Sequence, residues 1–391
     1  MRTTGVVQAL ASSLALLVST AIAGTDDWAT SRIRLKQKAF TVINRSRDIA
    51  ISDDGKSAYV CVDLGDVTLL RLNALTGEVV ERVGNRESSP QCILYCRGDL
   101  FLVMESRRTG RTAVSLDQYA TDQCLSVEKS LPLHDWRLYR ISSACVAPDG
   151  HSLWLASSPN MSSLYGRVDP ALFRVQLPAG SMTRVLGPPP DRMTPAATPP
   201  LQAPLVATID EDRGIVVVDP SESLLRFYEE GESRESAQMK IELTPRVVPP
   251  RIRRFLPLVA DRKGVMIDTV TREIVSRFDL PDLPTAVCVN STGTHAFIAV
   301  RGSNNALVVD VRSGDVSDQV DLSRPTGAPG IRDAVRGQDV HDVIALRWAD
   351  NPGRLLALGY NGQIFIVATL ESQKQENTPQ NLPVSMDGSR P

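Results

Sequence analysis

The chain has 391 residues, with 43 Lys and Arg against 45 Asp and Glu, a formal net charge of −2 and a pI near 6.2. That balance argues against a polyanion partner, because nucleic-acid binders carry a basic excess that neutralises phosphates. None of the six cysteines falls in a C-x-x-C or C-x-x-C-H spacing, which removes the thioredoxin-like and c-type haem readings.

The chain starts with one cation at Arg2, an apolar stretch from Leu10 to Ile22, and small residues at Ala21 and Ala23 that fit an A-x-A cleavage site before Gly24. This is the pattern of a secretory signal peptide over residues 1–23. A membrane anchor needs about 20 apolar residues, and this stretch contains Ser12, Ser13, Ser19 and Thr20. No second apolar run of spanning length follows, so the reading is a secreted or periplasmic protein without membrane insertion. Removing 23 of the 391 residues leaves 368, more than one ordinary core organises. Either several domains or one repeat architecture is required.

Next comes an isolated strand candidate, "RIRLKQKAFTV", from Arg32 to Val42. A recurring unit then begins: an apolar run, a tight polar turn and a second apolar run. It appears at "AISDDGKSAYVCV", "CILYCRGDLFLVM", "ACVAPDGHSLWLA", "LVATIDEDRGIVVV", "AVCVNSTGTHAFIAV" and "VIALRWADNPGRLLALG". Each pair is too short for two helices, and turns of this kind suit β-hairpins. The second run is apolar at successive positions, as in a strand covered on both faces. A second hairpin follows each first one, for example "VTLLRL" and "VVERV" around "ALTGE".

The unit is therefore four antiparallel strands, a to d, with a charged outer strand. A sheet with two apolar faces must be covered on both, and stacking such sheets around an axis does this. Six units begin near Ile49, Cys92, Ala144, Leu205, Ala286 and Val343. A seventh fits "RVVPPRIRRFLPLVADRKGVMIDTVTREIVSRF", with an irregular, proline-containing first strand. The last unit runs out after three strands at "QIFIVATL", and the isolated N-terminal strand supplies the fourth. The expectation is an all-β, seven-bladed β-propeller over residues 24–370, closed by its two chain ends, with a polar, disordered tail over 371–391.

"AISDDGKSAYV" followed by "LNALTGEVVERV", and "VNSTGTHAFIAV" followed by "VVDVRSGDVSDQV", resemble the repeats of YVTN-type β-propellers, within the WD-repeat-like and quinoprotein-like set. The tetrapeptide itself is replaced by "YVCV" and "FIAV", and no third strand ends in Trp-Asp. The resemblance implies the fold and carries no specific activity with it.

Antiparallel order puts the b-to-c and d-to-a connections on one face and the a-to-b and c-to-d turns on the other. The five long connections all belong to the first face. They hold Arg107 and Arg108 in "ESRRTGRT", His134 and Trp136 in "PLHDWRLYR", Tyr165 in "SSPNMSSLYGRVDP", the segment "GPPPDRMTPAATPPLQAP", and Arg332, Arg336 and His341 in "SRPTGAPGIRDAVRGQDVHD". Long loops on a rigid scaffold are where binding lives, so this face is the predicted interaction surface and these eight residues its candidates. The competing reading is tolerated insertion, since long loops cost little stability.

Chemistry is sparse. The four histidines share no metal-ligand spacing, and no G-x-S-x-G, H-E-x-x-H or P-loop occurs. Arg97-Gly98-Asp99 spells an adhesion tripeptide but occupies the position of the "DDG" and "PDG" turns, which gives it a backbone reason to exist. Arg246, Arg251, Arg253 and Arg254 form a cluster able to hold an anion, but their setting in the irregular blade more simply suggests a solvated outer edge. Cys92 and Cys96, about 13 Å apart along one strand, cannot pair there. Asn44, Asn160 and Asn290 begin N-x-Ser/Thr sequons. The reading is a monomeric, non-catalytic scaffold without cofactor or metal, binding a protein or peptide. The alternative is a lactonase- or hydrolase-like propeller enzyme acting at the axial channel, against which the nearly apolar first strands speak.

Overall fold

A computed structural model describes residues 33–42, 46–64, 66–84, 88–106, 113–121, 124–133, 141–159, 169–187, 202–211, 214–232, 234–322, 343–350, 353–359 and 364–372. The predicted signal peptide lies outside the described residues, as do the tail beyond 372 and sequons Asn44 and Asn160.

The chain is an all-β, seven-bladed β-propeller. Strand β1 (Ile33–Val42) comes first and belongs to the last blade. Blade one follows as β2 (Ser46–Ile51), β3 (Ser57–Val62), β4 (Leu69–Asn73) and β5 (Val79–Val83), and blade two as β6 (Ser88–Cys96), β7 (Asp99–Ser106), β8 (Ala113–Ala120) and β9 (Ser126–Leu133). Blade three is β10 (Ile141–Val146), β11 (Ser152–Ser157), β12 (Leu172–Gln176) and β13 (Ser181–Leu186). Blade four is β14 (Leu205–Ile209), β15 (Gly214–Asp219), β16 (Leu224–Glu229) and β17 (Glu235–Lys240). Blade five has the short β18 (Arg251–Ile252), then β19 (Phe255–Ala260), β20 (Lys263–Asp268) and β21 (Glu273–Asp279). Blade six is β22 (Pro284–Val289), β23 (His295–Val300), β24 (Asn305–Asp310) and β25 (Val316–Asp321). Blade seven is β26 (Val343–Ala349), β27 (Arg354–Gly359) and β28 (Ile364–Ser372), completed by β1.

The second strands explain why these sheets must stack. In β11 and β27 every residue is buried, and β3 and β15 are buried at all but one. The outer strands β5 and β17 alternate half-buried and exposed. Among the described residues six apolar clusters fill the spaces between neighbouring blades, one of them running continuously through blades four, five and six. Each fully buried aliphatic side chain contributes about 1.5–3 kcal/mol. Aromatic pairs bridge three of the seams: Tyr59 on Tyr95, Trp154 against Tyr228, and Phe297 on Trp348, with centroids 5.6, 5.0 and 5.0 Å apart.

The ring closes as anticipated. β1 runs antiparallel to β28 from Ile33↔Ser372 to Val42↔Ile364, so the propeller extends two residues beyond the expected boundary at 370. Blade starts also differ, by two to four residues in blades one, two, three and six. The cause is a bulge near the start of the first strand, at Ser46/Asp48, Pro90/Cys92, Ile141/Ser143 and Pro284/Ala286. An extra residue breaks the period-2 pattern, so the alternation visible in the sequence begins only after it.

Blade five departs furthest from the repeat. Its first strand begins against its own blade, with Val247 bridging Val259, but Arg251 and Ile252 pair in parallel with Thr208 and Ile209 of blade four. Pro249 and Pro250 carry no amide hydrogen and cannot continue a ladder. Pro250, Ile252 and Arg253 instead offer their carbonyls to the amides of Thr208, Asp210 and Glu211.

Arg97-Gly98 is the hairpin turn between β6 and β7, with φ of +52° and +90°. Cys92 and Cys96 share β6, and all six cysteines are free. Among the described residues no helix is long and apolar enough to cross a membrane.

Candidate axial binding site

The first strands of the blades converge on the axis and enclose a channel with two widenings. The larger, about 780 Å³, lies at the C-terminal ends of these strands and takes residues from all seven blades. The smaller, about 270 Å³, lies at their N-terminal ends. Pro250 and Arg347 line both.

Arg347 donates from Nη2 to Asp48 Oδ1 at 2.8 Å and from Nη1 to the Leu346 carbonyl at 2.9 Å. Asp48 Oδ1 also accepts from the Ile49 amide at 2.8 Å. Both charged side chains are about one-fifth exposed.

The wide mouth carries most of the polar groups. Arg251 donates from Nε to both oxygens of Asp210, at 2.9 and 2.8 Å. Burial opposes its charge, but Asp210 and then Asp53 outweigh that and hold the guanidinium above the ordinary arginine value. Asp350 accepts from Trp348 Nε1 at 2.8 Å and from the Ser291 hydroxyl. Tyr95 adds an aromatic wall, and burial raises its phenol above the usual value.

The thiols at the mouth are poor nucleophiles. Burial pushes Cys145 up to about 12, and it raises Cys288 against the pull of Arg347. Cys96 is also raised, by burial first and Asp53 next, with Arg97 and Arg251 opposing. Among the described residues no cluster of His, Cys, Asp and Glu suits a metal ion. His151 and His295 follow a-to-b turns as read from the sequence and line neither widening.

All eight predicted interaction residues, Arg107, Arg108, His134, Trp136, Tyr165, Arg332, Arg336 and His341, lie outside the described residues. The strands flanking those loops place the connections at the b-to-c and d-to-a end, whereas the larger widening opens at the opposite, short-turn end. The arginine cluster is corrected: Arg251 and Arg253 line the channel mouth and not an outer edge, because the irregular first strand of blade five leans onto the inner strand of blade four. Arg254 instead pairs with Asp268 at 2.9 and 2.6 Å. The polar groups missed in the sequence follow the apolar runs directly, in "LVATID" and "RWAD", where the strand gives way to the turn. Asn290 is buried, and its side-chain oxygen accepts from the amides of Thr294 and His295.

No protein-family profile and no curated protein sequence matches this chain.

Proposed function

We propose that the protein is an exported, non-catalytic β-propeller scaffold that holds a protein or peptide partner at the wide mouth of its axial channel. One observation carries this reading: all seven blades contribute to a cavity of about 780 Å³ whose lining joins aromatic walls to charged groups. Concave sites with an apolar body and a few placed polar groups are the usual form of a binding pocket. The protonated thiols favour binding over nucleophilic catalysis, since the thiolate is the reactive form. The apolar stretch Leu10 to Ile22 before Ala21-x-Ala23 supports export. The likeness of blades one and six to YVTN-type repeats supports a repeat scaffold of that kind.

The test is partner capture from native extract by the wild type, by Ser291→Trp, and by a chain shortened between residues 323 and 342. Ser291 is exposed at the mouth, so an indole there narrows the mouth without changing its charge. Loss of capture with Ser291→Trp alone is expected. Undiminished capture by that variant, with loss in the shortened chain, returns the interaction surface to the long-loop face. A lactone or ester hydrolysis that Ser291→Trp abolishes identifies the lactonase- or hydrolase-like alternative.

A further inference from the structure

Arg251 is held through one nitrogen only. Its Nε is fixed on Asp210, while Nη1 and Nη2 have no protein partner among the described residues. The side chain is 65% exposed, although it stands in the channel mouth. Its backbone is fixed too, because the carbonyls on either side, of Pro250 and Ile252, accept from Thr208 and Asp210. A guanidinium clamped at Nε presents its two terminal nitrogens as a fork, which matches the two oxygens of a carboxylate. Because the fork is already oriented, little side-chain freedom is lost on binding.

The surroundings select the charge of the ligand. Arg253 is exposed two residues further along the same extended segment and lines the same mouth. Arg97 enters from the turn of blade two and, among the described residues, donates only to the Pro148 carbonyl, at 3.5 Å. With Arg251 and Arg347 these make four arginines along the lining, against the three aspartates Asp53, Asp210 and Asp350, which leaves one net positive charge. A single carboxylate balances that charge; a phosphate dianion is opposed by all three aspartates. Tyr95 and Trp348 line the mouth and are stiffened by stacking on Tyr59 and Phe297 at interplanar angles of 11° and 12°. They offer flat apolar surfaces at the same mouth.

We propose that the mouth recognises a peptide carboxylate flanked by an apolar residue, with Arg251 as the bidentate anchor and Arg253 and Arg97 as supporting cations. This rests on the mouth being the partner-binding surface. The carboxylate belongs to a chain terminus or to an acidic side chain, and the two sources are separable.

The experiment is saturation-transfer NMR on the full mature chain at low salt. Its probes are acetyl-Gly-Leu-Phe as free acid, the same peptide as amide, acetyl-Leu-Glu-Phe-amide, and inorganic phosphate as competitor. The free acid or the glutamate peptide is expected to bind about tenfold or more tightly than the neutral amide, in line with a charge-assisted hydrogen-bond pair. Whichever binds identifies the source. Arg251→Gln is expected to abolish the preference, and Arg253→Gln, which strands no buried partner, to weaken it several-fold. Unchanged melting temperatures show that both variants are folded.

Equal binding of acid and amide, an unaltered preference in Arg251→Gln, or tighter binding of phosphate overturns the inference. If Ser291→Trp loses partner capture while no carboxylate preference exists, the mouth remains the binding surface and the carboxylate assignment falls. If Ser291→Trp captures normally, the mouth reading itself falls.

Discussion

Arg347 and Asp48 stand 299 positions apart in sequence, yet their side chains meet at 2.8 Å and tie blade seven to blade one beside the axis. Asp48 also lies 3.4 Å from the Ile93 amide of blade two, so one carboxylate touches three consecutive blades. Asp48→Ala removes all of these contacts and leaves Arg347 half-buried without its counter-charge. Breaking a fully buried pair costs about 3–5 kcal/mol; with both groups partly exposed, the expected loss is about 2 kcal/mol. Denaturant unfolding measures it, and a loss below about 0.5 kcal/mol counts against the pair as a ring tie.

The second tie is β1. Without it β28 is an open edge, its backbone groups unpaired and available for edge-to-edge association. Deleting residues 24–42 is expected to give a chain that aggregates on sizing chromatography, and a synthetic peptide covering Ile33–Val42 is expected to return it to a monomer. A monomeric, stable truncated chain shows that the three remaining strands of blade seven suffice.

Much of this architecture was legible because strand burial is written into the residue pattern. A run such as "SLWLAS" is apolar on both faces, and only a sheet covered on both sides accommodates it. "VVERV" alternates in burial but not in polarity, with Val80 exposed and Glu81 half-buried, so the inward face of this outer strand was not written in the pattern. The closing strand was legible from the count of strands. The bulges near the starts of the inner strands were not, because one inserted residue, as at Ser46/Asp48, cancels the period-2 signal. The channel mouth was not legible either. Arg251 reaches it only because Pro249 and Pro250 end the ladder of blade five and Thr208 and Asp210 take up the freed carbonyls, a tertiary pairing with no periodicity to betray it. The loop residues favoured by length, His341 among them, fall outside the described structure.

The thiols give a chemical check on the packing. Cys61, Cys92, Cys145 and Cys288 are buried, and burial holds each above the ordinary thiol value, Cys145 at about 12. Cys124 is exposed. At pH 8 the native protein is expected to take one iodoacetamide rapidly, at Cys124, with half-buried Cys96 slower and the other four protected until denaturant is added. Rapid modification of four or more thiols without denaturant contradicts the seams between blades.

Acid should weaken the propeller through its turn aspartates, and Asp268 is the clearest case. The Arg254 guanidinium binds both of its oxygens and, against the effect of burial, holds its carboxyl below the ordinary value of 3.8; the amides of Val270 and Thr271 help. Asp54 is lowered chiefly by the Lys56 amide, and Asp310 is lowered by the amides of Ser313 and Arg312 despite its burial. A carboxyl whose folded pKa lies below its unfolded one binds more protons unfolded, so its contribution is complete above about pH 4 and disappears as pH falls through the folded value. Asp268→Asn keeps an acceptor for the turn amides but loses the ion pair, so it is expected to cost about 1–2 kcal/mol at pH 7. Because protonation removes the same ion pair from the wild type, the gap between the two melting temperatures should shrink as pH is lowered from 5 towards 2. A gap that stays constant across that range places the stabilising role of Asp268 in its turn hydrogen bonds and not in its charge.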